Sequence, residues 1–318
     1  MLKKLKGRLF SSLMKEIRKQ RLCNGRIHSE LIKGKSKIGC LREAEFQVFS
    51  QWGEDGIIEW LVAKLDGIPE VFIEFGVEDY TEANTRFLLE NRNWKGLILD
   101  GDIENIKAVK QEDIYWRHDL EAIGLFVTTE NIEEVICSRL GKDAEVGILS
   151  IDIDGNDYWV WDTMKSIRPW IVICEYNSVF GDMKSISTPY NPAFSRNSYH
   201  YSNLAFGASI KALEVLGKEK GYKLLGTNSA GNNAFFARED VARQIQVDRV
   251  VVYPSRFRES RNQKGQLTML SGMERIKEIK DVRVVELQDG GGFEPKRLGE
   301  LEDLYSDEWA KGNPVTRC

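Results

Sequence analysis

The sequence predicts an α/β protein built on a doubly wound sheet, and three observations carry that expectation. Short apolar runs recur and end on acids: Val71–Ile73 before Glu74, Gly96–Leu99 before Asp100, Gly147–Ile151 before Asp152, Trp170–Cys174 before Glu175. Segments of helical spacing separate these runs, so they read as parallel strands covered on both faces. The last two runs, Tyr222–Gly226 and Asn233–Arg238, are joined by the turn-rich Thr227–Asn232, a link short enough to make them antiparallel neighbours. The expected architecture is a Rossmann-like sheet of seven strands, mostly parallel with an antiparallel last strand as one edge, and helices on both faces.

In chain order, residues 1–22 place Leu2, Leu5, Leu9, Leu13 and Ile17 at helical spacing among lysines and arginines. That pattern suits either a helix packed on the domain or a neighbouring subunit, or an arm resting on anionic lipid headgroups. Residues 23–45 read as a polar linker. A helix follows Gln51, with Glu54 and Asp55 in its first turn, where they suit the helix dipole. Its buried stripe is Ile57, Ile58, Leu61, Val62 and Leu65, and Gly67–Pro69 stops it. Further helices are expected over 81–90, 130–140 and from Ile210 to Gly217 or Gly221, with a third strand near Asp113–Arg117. Residues 178–206 carry turn formers and aromatics without any period, and a loop of that length inside a domain reads as a lid. Beyond 241 the chain suggests one helix, Met269–Lys280, and one strand, Val282–Leu287. The expected organisation is a basic arm and linker (1–45), a catalytic domain (46–240) and a C-terminal extension packed on it (241–318).

The chain has 318 residues, 42% hydrophobic and 30% charged, the composition of a soluble globular protein. Its net charge of −4 conceals an asymmetry: residues 1–42 hold 13 Lys+Arg against 2 Asp+Glu, and the remainder holds 32 against 47. An acidic body argues against a nucleic-acid groove, while the basic arm calls for an anionic partner. Five cysteines, with no C-x-x-C spacing, suggest neither a disulfide framework nor a zinc knuckle, and Cys174 reads as a small buried hydrophobe. No apolar stretch reaches 18 residues and no signal-peptide pattern is present. The expected location is the cytoplasm, with residues 1–22 as a peripheral contact to the inner membrane face and a homo-oligomer as the alternative use of the arm.

In sheets of this kind ligands sit beyond the carboxyl ends of the strands. Glu74 and Asp100 end the first two strands, and Gly76 lets the backbone approach a ligand. An acid at the first strand end suits a cationic amino group or a ribose, and Asp100, with Asp102 as a neighbouring alternative, stands where a ribose-binding acid belongs. The glycines of G-x-G-x-x-G are absent. Asp152 and Asp154 lie two apart at the fourth strand end, beside Glu175 and Asn177 at the fifth. Asp152 or Asp154, with Glu175 and Asn177, forms a candidate ligand set for Mg²⁺ or a similar ion; with no metal, these carboxylates bind the cofactor or hydrogen-bond loops. His200, in the expected lid, is a candidate general base with Asp154 beside it. His118, near the expected third strand end, is a candidate adenine neighbour. Gly231–Phe236 carries no assigned chemistry.

Taken together, EFGVEDYTEANT (74–85), LILDGD (97–102), LSIDIDGNDYWVW (149–161), ICEYN (173–177), FGASIKAL (206–213) and NNAFFAR (232–238) resemble class I S-adenosylmethionine-dependent methyltransferases of the FkbM-like kind. The resemblance spans roughly residues 47–240 and implies S-adenosyl-L-methionine as cofactor. It implies Glu74 and Gly76 at the methionine moiety, Asp100 at the ribose hydroxyls and residues near His118 and Asp119 at the adenine, with Asp79, Asn84, Asp102 and Asp152 as further cofactor-binding residues. The Asp154/Glu175/Asn177 cluster resembles the metal position of cation-dependent O-methyltransferases. The chain departs from the usual first motif at Tyr80, where a further glycine is common. The implied reaction is methyl transfer to a hydroxyl of a sugar, glycan intermediate or secondary metabolite, the partner being a small-molecule or glycan acceptor. Two other readings are an NAD(P)-linked sugar-nucleotide oxidoreductase and a non-catalytic scaffold that uses the basic arm.

Overall fold

The computed structural model describes residues 2–288 and 292–317, with the side chains of the first helix from Leu13 onward. Eight strands precede residue 240: β1 (Val71–Phe75), β2 (Lys95–Asp100), β3 (Leu120–Gly124), β4 (Ile148–Ile151), β5 (Ile171–Glu175), the short β6 (Ile186–Ser187), β7 (Tyr222–Thr227) and β8 (Asn233–Arg238). All but β6 form one sheet in the order β3-β2-β1-β4-β5-β8-β7. The pairs from β3 to β5 are parallel, and β8 runs antiparallel to both β5 and β7. The reversed strand is the last in sequence, and the antiparallel β8–β7 pair makes up one edge of the sheet, as expected. The tight β7–β8 hairpin lets β8 slot against β5, which leaves β7 outside.

Period-two alternation splits the strand residues between two cores. Phe72, Ile98, Ile148, Ile173 and Phe235 face one; Ile73, Leu99, Ile151, Val172 and Phe236 face the other. The helices are α1 (Leu2–Lys33), α2 (Glu54–Lys64), α3 (Arg86–Arg92), α4 (Ile103–Gln111), α5 (Asp113–Arg117), α6 (Ile132–Leu140), α7 (Asp157–Thr163), α8 (Arg196–Tyr199) and α9 (Ile210–Glu219). Ile57 and Leu61 of α2, Leu88 of α3 and Val109 of α4 join the first core. Ile136 of α6, Trp161 of α7 and Leu213 of α9 join the second.

Four expectations need correction. Residues 23–33 are not linker but the second half of α1, fastened to the body: Arg18 reaches Glu90 at 2.7 Å and Glu112 at 3.2 Å, and Ser29 donates to Glu59. The apolar-basic pattern at Leu2, Leu5 and Leu9 lies outside the described side chains. Residues 113–117 are helix α5, where an Asp113–Arg117 pair one turn apart favours the helix, and the third strand starts seven residues later. Between β1 and β2 the helix starts at Arg86, because residues 76–85 form an irregular loop. Residues 269–280 hold only a 3₁₀ segment, Gly272–Glu278.

The loop after β5 is largely built in. Beyond β9 (Val250–Val252) come β10 (Arg283–Leu287), β11 (Phe293–Arg297) and β12 (Val315–Arg317). β6 pairs with β10, which pairs with β11, while β12 pairs with β9. Val179, Phe180, Ile186 and Leu204 bury themselves against Ile279, Val284 and Leu298. Among the described residues no helix is long and apolar enough to cross a membrane.

Glu54 and Asp55 do more than suit a dipole. The Asp55 Oδ2 accepts from the backbone N–H of Val48, Phe49 and Ser50 (2.7–2.8 Å) and from the Ser50 hydroxyl. This buried carboxylate folds the segment before α2 back onto the helix. Asp55→Ala leaves those donors unpaired in a dry interior and should cost about 3 kcal/mol or more. Urea unfolding checks this, and a loss within about 0.5 kcal/mol would rule the anchor out.

Candidate functional site

A cleft of about 440 Å³ opens at the carboxyl ends of β1, β2, β4 and β5. That volume lies within the roughly 300–1,000 Å³ of small-molecule pockets. Its lining includes Glu74, Asp100, Asp152 and Glu175 from or next to strand ends, with Glu78, Glu82 and Asp154 from the loops between. Seven carboxylates and one arginine, Arg196, therefore face a single cavity.

Each strand-end acid also shapes the loop beside it. Glu74 is buried and accepts from the N–H of Asn84 (2.8 Å) and Thr85 (3.1 Å) and from the Thr85 hydroxyl. These bonds bring Asn84 to the cleft wall, where its amide donates to Ser150 Oγ at 3.1 Å. Burial outweighs them and pushes the Glu74 carboxyl up to about 7. Asp100 accepts from Glu78 N–H (2.7 Å), Asp102 N–H (2.8 Å) and the Asn105 amide (3.1 Å). Gly76 has φ +75°, and a Cβ there would stand 1.6 Å from the Asp152 carbonyl oxygen. Only glycine lets the β1 turn pass this close to the end of β4.

On the β4–β5 side, single carboxylate oxygens of Asp152, Asp154 and Glu175 lie within 4.8 Å of one another. Asp157 accepts from the N–H of Ile153 and Gly155, both at 2.8 Å, and closes the turn that carries Asp154 in a left-handed conformation (φ +57°). Burial first, and crowding by neighbouring carboxylates second, push Asp152 and Glu175 well above the usual carboxylate range. Arg196 from α8 answers part of this charge: its Nη1 donates to Asp154 at 2.6 Å and its guanidinium lies 3.7 Å from the Phe206 ring centroid. Three buried acceptor oxygens at this cleft have no partner among the described residues: Asn156 Oδ1, Glu175 Oε2 and Asn233 Oδ1.

The structure gathers Glu74, Gly76, Asn84, Asp100, Asp152, Asp154 and Glu175 around the cleft. It leaves out six others. Asn177 is spent locally: its amide donates to the carbonyls of Leu204 (2.7 Å) and Phe206 (2.9 Å), and its Oδ1 accepts from Val179 N–H (3.0 Å). Asp102 caps α4 through Glu104 N–H, and Asp79 turns onto Thr81. His118 and Asp119 precede β3 and so lie at the wrong end of that strand; Leu125, Phe126 and Val127, which follow it, line the cleft instead. His200 bonds Ser202 Oγ at 2.7 Å and lines neither this cleft nor the chamber beside it. Arg196, Phe126 and Asn233 were not among the expected residues. Arg196 and Phe126 sit in stretches without period, and only the Asn232–Asn233 pair at the start of a strand offered a polar signal.

The sheet order is that of a doubly wound α/β protein, and the acidic cleft lies beyond its strand ends, where ligands sit in sheets of this kind. No family model matches the sequence, and no curated protein does. Among solved structures the chain is similar to the Bacillus cereus O-methyltransferase in complex with SAH, at 15% identity and TM-score 0.37, over 55% of this chain and 76% of that one. An S-adenosylmethionine-dependent methyltransferase from Clostridium acetobutylicum gives 8% and 0.37 over 58% and 89%. The N-terminal domain of EvdMO1, crystallised in the presence of SAH and D-fucose, gives 11% and 0.37 over 71% and 96%.

Buried acids make a pH signature. Asp55 and Asp157 are raised to about 6 and Glu74 to about 7, each above its ordinary 3.8 or 4.5. The folded state then holds protons that the unfolded chain has released, so this stabilisation is complete below the unfolded values and is lost as pH rises through 6–7. The melting temperature should be higher at pH 5 than at pH 8. Differential scanning fluorimetry tests this, and a melting temperature that climbs over the interval contradicts it.

Proposed function

We propose that the cleft binds S-adenosyl-L-methionine and that the protein is an S-adenosylmethionine-dependent O-methyltransferase, FkbM-like by its motifs, acting on a hydroxyl of a small-molecule or glycan acceptor. The observation that carries this is the charge of the cleft: seven carboxylates, three unpartnered buried acceptor oxygens, and a lone arginine already tied to Asp154. Such a lining attracts a ligand with an ammonium and a sulfonium and repels a pyrophosphate, which speaks against the NAD(P) reading.

The bound cofactor would supply a methyl group on a positively charged sulfur. Asp100, at the end of β2, keeps acceptor capacity beyond its three loop donors and is placed to take ribose hydroxyls. The Gly76 turn and Asn84 form the β1 wall. With His200 outside the cleft, Glu175 is the candidate base: buried at the end of β5, lining the cleft, and with Oε2 unpartnered among the described residues. The remaining chemistry is positioning of two reactants.

The residues do not fit Mg²⁺ as first expected. Asn177 is spent on backbone, and one Asp154 oxygen is held by Arg196, which brings a fixed positive charge to the cluster in its stead. A hard octahedral ion wants about six oxygens, so no step is routed through a metal.

Isothermal titration with S-adenosylhomocysteine and S-adenosylmethionine, NAD⁺ as control, tests the cofactor. Micromolar binding of the thioether with none of NAD⁺ is expected; silence from a folded protein would overturn the proposal. Asp100→Ala should weaken binding by about ten-fold or more, roughly the worth of one good charge-assisted contact; unchanged affinity removes Asp100 from the site. Because ionised carboxylates hold a cation best, S-adenosylmethionine should bind more tightly at pH 8 than at pH 6, with proton release seen in buffers of differing ionisation enthalpy. A pH-independent affinity would argue against these acids as the cation's partners.

A further inference from the structure

A second chamber of about 420 Å³ adjoins the acidic cleft. The two share Gln51, Glu175, Arg196 and Asn232, so they are halves of one opening. Their charges differ in kind. The second chamber is lined by Arg196, Arg258 and Arg275 against Glu175 and Glu259. Most of these groups answer one another or the first half. Arg275 is 1% exposed and holds Glu259 and the Ser255 carbonyl, both at 2.7 Å, while Arg196 is on Asp154. Two remain. Glu175 Oε2 is buried and unpartnered at the junction of the halves, and Arg258, exposed at the chamber wall, has no hydrogen bond or ion pair among the described residues.

An apolar ledge belongs to the same chamber. The rings of Trp52 and Phe257 stack with centroids 4.3 Å apart and planes 19° apart, and Trp52 remains 39% exposed. Both residues are held from behind. Glu54 accepts from the N–H of Trp52 (3.0 Å) and Gly53 (2.9 Å), and Ser255 N–H donates to Ser178 Oγ (3.1 Å) while Arg275 grips the Ser255 carbonyl. A flat apolar face with a spare guanidinium and a buried carboxyl suits a ring that carries an anionic group and a hydroxyl.

We propose that this chamber is the acceptor pocket and that it selects a ring-shaped acceptor bearing a carboxylate or phosphate, its ring on the Trp52–Phe257 ledge and its anionic group on Arg258. The inference rests on the reading of the acidic half as the cofactor site. Opposite charge in the two halves then sorts the reactants: the cationic cofactor is drawn to one, and the anionic acceptor is excluded from it.

The test is saturation-transfer NMR and calorimetry on the full chain with matched probes: glucuronate and glucose phosphate against glucose, and para-hydroxybenzoate against its methyl ester. At least one anionic probe should bind about ten-fold more tightly than its neutral partner, the preference expected of an arginine–oxyanion contact. Arg258→Gln should abolish the preference, Trp52→Leu should weaken the anionic probe and its neutral partner alike, and both variants should keep S-adenosylhomocysteine affinity within about two-fold, a margin of roughly 0.4 kcal/mol. Equal binding of charged and neutral probes, a preference that survives Arg258→Gln, or no anionic probe bound by a protein that binds S-adenosylhomocysteine would each overturn the proposal. Arg258-dependent binding of an anionic probe without any S-adenosylhomocysteine binding would uphold the chamber's selectivity and overturn the methyltransferase reading instead.

Discussion

The interaction on which the rest depends is a buried carboxylate collecting backbone N–H groups from the loop beside it. Asp55 gathers residues 48–50, Glu74 gathers 84 and 85, Asp100 gathers 78 and 102, and Asp157 gathers 153 and 155. Asp182 does the same at a distance, taking the N–H and hydroxyl of Ser306 from the far end of the chain. Loops that pass over strand ends have no ladder to satisfy their donors, and an acid at the strand end supplies the missing acceptors. Two of these acids, Glu74 and Asp100, also line the cleft. Loop architecture and the acidity of the cleft therefore share an origin.

That double duty explains the raised carboxyl groups. A carboxylate with several amide donors would ordinarily ionise easily, yet burial wins at Glu74, Asp55 and Asp157. Asp152 and Glu175 are pushed well above the usual carboxylate range too, by burial first and by neighbouring acids second.

Much of this was legible in the sequence, for a physical reason. Parallel strands buried on both faces must be apolar throughout, so an acid directly after such a run stands out as the strand end at the ligand face. Glu74, Asp100, Asp152 and Glu175 were found that way. Strand β3 escaped because it is half exposed and carries Glu121 and Gly124, and the more apolar Ile114–Trp116 before it reads more like a strand; His118 and Asp119 were then misplaced with it. Residues made important by contacts across the chain gave no local sign. Arg196 meets Asp154 over 42 positions, and Trp52 meets Phe257 over more than 200. Asn177 misled in the opposite way, because a polar residue at a strand end can serve the next turn as readily as a ligand.

The ledge at the mouth of the second chamber has an optical consequence. Of the eight tryptophans, Trp60, Trp94, Trp161 and Trp309 are almost wholly buried, and Trp116 and, to a lesser extent, Trp52 are the most exposed. Trp116 sits on α5, before β3 and outside both cavities. Replacing it with phenylalanine would leave Trp52 as the chief water-facing indole. The protein would then carry its own fluorophore at the mouth of the second chamber, and its emission would shift as that chamber filled.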